Sequence, residues 1–298
     1  MTTVSVDAEA APVVVVAESV ARRLTRLAAK TPVYVFLVVI GLLWLVPTFG
    51  LFVQSLIAPS KINSAGWWEV FSTPSLITFD NYRSIFADDA IPSALLTTVW
   101  IALGGTILPI IVAALAGYAF AWLEFPGRDW LFLLVVALLV VPLQMALIPI
   151  FSLYSDIGLF DTVFGLILFH TAFALPFAIF LLRNFFIGIP RDLLEAARID
   201  GASELTIFVR VILPLGLPAI ASLAIFQFLW VWNDLLVALT FGRNTQPITV
   251  AIFSQMREFS ANLEVIAPAA FISLAIPLVV FLMFQRYFVQ GLLAGSVK

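Results

Sequence analysis

Cysteine is absent from all 298 residues, and histidine occurs once. Disulfides, thiolate metal sites and cysteine nucleophiles are thereby excluded, and one imidazole cannot build a metal cluster. Charge is scarce as well: Asp, Glu, Lys and Arg make up 11% of the chain, where soluble domains run near about a quarter. No GxxxxGK followed by Ser or Thr is present, so the chain has no P-loop to cradle a nucleotide. No Ser/His/Asp set falls at a suggestive spacing, and no basic patch interleaves with aromatics. These absences argue against an enzyme, a cofactor, a resident metal and a nucleic-acid partner.

What is abundant is apolar. Hydrophobic residues reach 62%, with 28 Phe and 8 Trp, and the mean hydropathy is +1.11. Lipid has to be the solvent for most of such a surface. Six long apolar blocks stand out, at about 33–57, 94–123, 130–154, 162–186, 214–240 and 265–288. Each is long enough for a helix to cross the hydrocarbon core, which takes roughly 20 residues. The runs are continuous rather than alternating, so helices are expected and barrel strands are not. The expected fold is an all-α integral membrane domain of six transmembrane helices over residues 33–298. Residues 1–32 form a separate N-terminal segment, in which Ser19–Lys30 reads either as a basic helix on the bilayer surface or as disorder. Asp7, Glu9 and Glu18 around the short Val13–Val16 run do not fit a cleavable signal.

Lys and Arg orient the chain. With the N-terminus inside, eleven of the fifteen basic residues fall on inner segments, and only Lys61, Arg83, Arg243 and Arg257 fall outside. Both termini are therefore expected in the cytoplasm. The outer segment 58–93 holds Trp67, Trp68, Phe71 and Tyr82, aromatics suited to the membrane interface.

The inner connection 187–213 carries the most information. Pro190 suits the first position of a helix, and Asp192 and Glu195 lie where the macrodipole favours acids. Gly201 suits the left-handed residue that ends that helix, and Ser203 can cap a second one. Leu205, Phe208, Val209 and Ile212 then recur as one apolar stripe until Pro214 closes the helix. Ala196, Ala197, Ala202 and Ser203 leave the turn almost without bulk, and Glu195, Arg198 and Asp200 surround it with charge. Such a knob fits a groove in a soluble partner; an ordinary helical hairpin loop accounts for the same residues.

The spacing Glu195-Ala196-Ala197, Gly201, Val211, Leu213-Pro214 resembles the "EAA" signature of ABC importer permeases, with Val211 where the pattern usually has Ile. Asp200 before the glycine is similar to the form found in sugar permeases. Pro142, Pro149, Gly158, Asp161, Gly165, Pro176, Trp232-Asn233-Asp234 and the tail from Gln285 to Gly295 resemble the maltose-type subfamily, although Gln290 replaces a residue that is often basic. Trp67-Trp68 and Thr78 to Tyr82 resemble its α-glucoside permeases. The resemblance covers roughly residues 33–298. It implies the type I importer permease fold in a bacterial cell membrane. It also implies a second permease subunit, two copies of an ATPase subunit, an extracytoplasmic sugar-binding protein and a carbohydrate cargo. Segment 187–213 would then be the coupling loop: Glu195 pairs with the ATPase, Ala196 and Ala197 pack closely, and Arg198, Asp200, Gly201, Ala202 and Ser203 complete the docking turn. A polyol or glycerol phosphate importer, or a secondary transporter needing no ATPase, are the other readings.

Polar groups inside apolar blocks are the remaining candidates. An acid at mid-bilayer costs about 2.5–3.5 kcal/mol on insertion scales, so it faces protein or water. Asp234, with Asn233 and Gln227, lines a translocation path on one reading and stabilises the fold on the other. His170 reads as a packed residue. Gly291 and Gly295 lie outside an apolar span and read as a flexible end or chance.

Overall fold

Peptide groups facing hydrocarbon must find their partners within the same segment, and each long apolar block is helical in the computed structural model of the chain. The structure describes residues 20–258 and 262–294, with side chains over 30–256 and 262–286. The expectations for residues 1–19, for the polar face of Val20–Lys30 and for the tail from Tyr287 onward, Gln290 and Gly291–Gly295 included, lie outside those described residues. By internal packing the chain divides into residues up to Gly50 and residues from Leu51 onward.

Helix α1 (Val20–Ser55) starts well before the apolar block, and its residues up to Gly50 belong to the first unit. From Val33 to Val46 it exposes large apolar side chains on every face, Trp44 at 78%.

The second unit begins with a folded outer segment. Two short 3₁₀ turns, Trp67–Phe71 and Pro74–Leu76, precede helix α2 (Asp80–Ala87). A lone antiparallel bridge joins Ile57 and Ile77, and no strand occurs among the described residues. Asn81 is fully buried and gives its amide to the carbonyls of Ser55 (2.9 Å) and Ile57 (2.7 Å). That satisfies carbonyls a helix end otherwise leaves without partners.

The centre of the second unit is α3 (Ala90–Trp122), packed on α6 (Val163–Ile187) and α9 (Leu213–Trp232), with α12 (Leu263–Ala294) against α9. Without a hydrophobic drive between helices in lipid, close backbone approach is what holds them. Gly117 provides it: a Cβ there would stand 3.1 Å from the Arg183 backbone nitrogen. Trp122 Nε1 donates to the Phe186 carbonyl at 3.1 Å, and Trp232 Nε1 to Ser273 at 2.9 Å.

One apolar block is not a single rod. Residues 130–154 divide into α4 (Arg128–Leu138) and α5 (Leu143–Ile157), bent by 100°. Pro142 has no N–H to continue the ladder and forces Val141 away from the helical region. Leu139, Val140 and Val141 tighten into i→i+3 bonds before the break. Among the described residues five helices are thus long and apolar enough to cross a membrane, six where the bent pair is counted as one broken span. The fifth block also ends earlier than expected. Helix α9 stops at Trp232, and a short α10 (Leu236–Phe241) and α11 (Ile248–Glu258) follow.

Candidate functional site

At the basic end of the bundle, α7 (Arg191–Ile199), a turn at Gly201 and α8 (Glu204–Ile207) form a compact elbow. Pro190 stands one residue before the helix, as its cap, rather than inside the first turn. Asp192 lies in the first turn, and Glu195 accepts from Arg191 Nε at 2.8 Å.

The turn closes as a Schellman motif. Gly201 has φ +79°, its N–H donates to Arg198 (3.0 Å), and the Ala202 N–H donates to Ala197 (3.0 Å). A non-glycine residue in that left-handed region costs about 1–2 kcal/mol, although a Cβ at Gly201 would meet only open space. Ala197 and Ala202 turn inward and pack against a core of Leu194, Ile207, Ile212, Leu182 and Phe186. Of the small residues, Ala196, Gly201 and Ser203 face outward, beside exposed Asp200. Leu194 is fully buried, and its burial anchors the elbow by about 1.5–3 kcal/mol. Ser203 caps α8, accepting from the Thr206 N–H at 3.3 Å.

The expected apolar stripe is corrected. Phe208 and Ile212 are buried, but Leu205 is 65% exposed and Val209 50%, while Ile207 is fully buried instead. The cause is a π turn over Phe208–Ile212, whose wider i→i+5 bonding rotates the faces. Nor does Pro214 end the helix. It enters α9 in the first turn, just after the π turn, and the apolar helical run continues from Glu204 to Trp232. The widened turn leaves room for a ring that would otherwise strike a carbonyl one turn back. The outcome is an elbow that projects Ile199, 87% exposed, and Leu193, 45% exposed, away from the core.

Arg198 does not stand free beside the turn. Its Nε and Nη2 fork onto the Glu204 carboxylate at 2.9 and 3.3 Å. The same carboxylate accepts the phenol of Tyr118, a buried residue of α3 whose ring also lies 5.4 Å from that of Phe208. Neither Tyr118 nor Glu204 is evident in the sequence, because nothing in an apolar run marks a phenol 86 residues away as a partner.

The polar residues of the blocks separate. Gln227 is buried and donates to the Gly105 carbonyl of α3 at 2.9 Å. Asn233 is exposed and donates to Leu229 at 2.7 Å. Asp234 lies past the end of α9 and accepts the N–H groups of Val237 (3.2 Å) and Ala238 (3.0 Å) at the start of α10. Its Oδ2 is 3.7 Å from Nε2 of buried His170, which sits edge-on to Trp230.

At the opposite end from the elbow, Asp161 is held at φ 58°. Its Oδ1 accepts three successive backbone N–H groups, from Arg243, Asn244 and Thr245, each at 2.8 Å. Its Oδ2 accepts the Asn244 amide at 2.7 Å, and the Thr245 hydroxyl donates to its carbonyl at 2.8 Å. Burial by itself pushes the Asp161 carboxyl up, but the donors from Thr245, Asn244 and Arg243 outweigh it and hold it below the ordinary carboxylate value. The clamp ties the α5–α6 connection to the α10–α11 loop.

Comparison with known proteins bears on this arrangement. The family described as "Binding-protein-dependent transport system inner membrane component" matches residues 105–293. The osmoprotective compounds uptake permease protein GgtD of Synechocystis sp. is 46% identical over 282 residues, covering 93% of this chain and 95% of that one. The alpha-glucoside transport system permease protein AglG of Rhizobium meliloti is 48% identical over 76% of this chain and 62% of its own length. The trehalose transport system permease protein SugB of Mycobacterium tuberculosis is 42% identical over 76% of this chain and 84% of its own. Among solved structures, a chain of a bacterial ABC transporter involved in the import of the acidic polysaccharide alginate superposes with a TM-score of 0.72. That match spans 91% of this chain and 98% of the other at 22% identity, a likeness of fold.

Proposed function

The chain belongs to the binding-protein-dependent transport system inner membrane components, and from that premise we propose that its elbow at 195–203 couples an external ATPase to sugar passage. It is the permease half of a carbohydrate ABC importer in a bacterial membrane, not the ATPase. The observation that carries the coupling role is the glycine-closed elbow: a rigid, small-residue knob with Ile199 and Leu193 outward and Leu194 sunk in the core. Two ATPase copies would dock such knobs from this chain and a second permease. An extracytoplasmic binding protein would deliver sugar at the opposite end. ATP-driven closure would move each knob as a rigid body and switch the access of the path.

For the cargo we favour an α-glucoside or other oligosaccharide, supported by relatives named for α-glucoside and trehalose transport. The relative named for uptake of osmoprotective compounds favours the second reading, a polyol or glycerol phosphate cargo. In proteoliposomes holding the complete complex, ATP-driven uptake of labelled trehalose should fall to excess unlabelled α-glucosides and not to glycerol. Competition by glycerol or glycerol phosphate alone would overturn the sugar assignment. Gly201→Val tests the coupling: the complex should still assemble and hydrolyse ATP while uptake collapses. Normal uptake by that variant would refute the assignment of the elbow.

A further inference from the structure

Four joints lie along α3 among the described residues, one of them the Trp122 bond to the Phe186 carbonyl of α6. Near its inner end Tyr118 donates to Glu204, whose carboxylate is forked by Arg198 across the Gly201 turn. At mid-helix the Gly105 carbonyl accepts from Gln227 of α9. Near its outer end the buried Thr98 hydroxyl accepts the Ile248 N–H at the start of α11, 2.7 Å away. Twenty residues separate Thr98 from Tyr118, about 30 Å of helix at 1.5 Å per residue. No other side chain on the elbow reaches a membrane helix through a charged hydrogen bond among those described; the knob is otherwise joined by its continuous helical run into α9, by backbone bonds to the end of α6 and by apolar contacts.

We infer that Tyr118 and Glu204 are positioning residues that make the elbow and α3 one rigid body, so that a docked ATPase drives α3 together with the α9 run that Glu204 begins. The inference rests on the coupling role proposed for the elbow, and it specifies which helices receive the motion. Glu204 is the keystone. Its two oxygens brace the turn from both sides, through Arg198 before Gly201 and through its own place after it, and the phenol then pins that brace to α3. Apolar contacts hold the knob in place but fix no bond direction. A hydrogen bond to a buried phenol and a bidentate guanidinium fork fix orientation as well as distance. Losing a hydrogen bond to a charged group makes the brace open about tenfold or more often.

The cysteine-free chain allows a direct test in the assembled complex. Spin labels placed through Asp192→Cys on the elbow and Trp100→Cys on the outer half of α3, both exposed positions, report the distance between knob and beam. In the otherwise unaltered chain that distance should keep one narrow distribution with and without ATP and vanadate. Tyr118→Phe removes only the hydroxyl, and Glu204→Gln keeps an acceptor but removes the charge. Each should broaden or split the distribution when ATP and vanadate are added, with a several-fold fall in trehalose carried per ATP. Distributions as narrow as in the unaltered chain for both variants would overturn the brace, whatever the uptake. If those stay narrow while Gly201→Val uncouples, the brace alone fails. If Gly201→Val transports normally, the coupling role fails, and this inference with it.

Discussion

Replacing Asp161 by Asn tests whether a single carboxylate fastens the two outer connections. The change keeps the shape and keeps one acceptor oxygen, and Asn tolerates the left-handed backbone found at φ 58°. It removes the negative charge that three backbone N–H groups converge upon. It also sets one amide nitrogen against another where Asn244 now donates to Oδ2 at 2.7 Å. Charge-assisted bonds are roughly twice as strong as neutral ones, while water can re-solvate the freed N–H groups at this partly exposed site. A loss of about 1–3 kcal/mol in local stability follows. Asp161→Ala removes every side-chain bond and adds the left-handed strain, about 1–2 kcal/mol more. Asp161→Gly relieves that strain and should recover part of the difference. Hydrogen exchange at Arg243, Asn244 and Thr245, corrected for intrinsic rates, reads the opening directly. Protection should drop by about tenfold per 1.4 kcal/mol, in the order Asp161, Asn, Ala, with Gly above Ala.

The pH dependence has a definite sign. Because the folded carboxyl sits below its ordinary value, about 3.9, its stabilisation is complete above that value. It is lost as pH falls through the ordinary value and on through the lower folded one. Protection in the unaltered chain should therefore persist to about pH 4 and fade only below, whereas Asp161→Asn should show no such step. Unchanged exchange in both the Asn and Ala variants would refute the clamp.

Two further outcomes follow from the elbow and the helix crossing. Glu195→Lys should weaken co-purification with the ATPase, because the new cation also repels Arg191, the present partner of Glu195; recovery at the wild-type level counts against Glu195 as a docking residue. Gly117→Leu should lower the melting temperature in detergent by a loss of about 1–3 kcal/mol, since its Cβ meets backbone and the Leu182 Cβ at 3.1 and 3.2 Å with no flexible group to yield. Gly117→Ala should do the same more mildly, and an unchanged melt in both would contradict the tight crossing.

Residue type and spacing alone were enough for whatever depends on solvent and on local backbone chemistry. Lipid demands long apolar helices, so the six blocks declare themselves. Gly201 and Ser203 act on peptide groups within a few residues, so the turn and the cap of the elbow were readable in advance. Tertiary structure decided everything that needs two distant segments. It set the π turn that exposes Leu205 and buries Ile207, the passage of the helix through Pro214, and the bend at Pro142 that breaks a continuous apolar run. It also paired Tyr118 with Glu204 and Asp161 with residues 243–245. A hydrogen bond between residues more than eighty positions apart leaves no periodic trace in the chain. It exists only once packing has brought the two ends together.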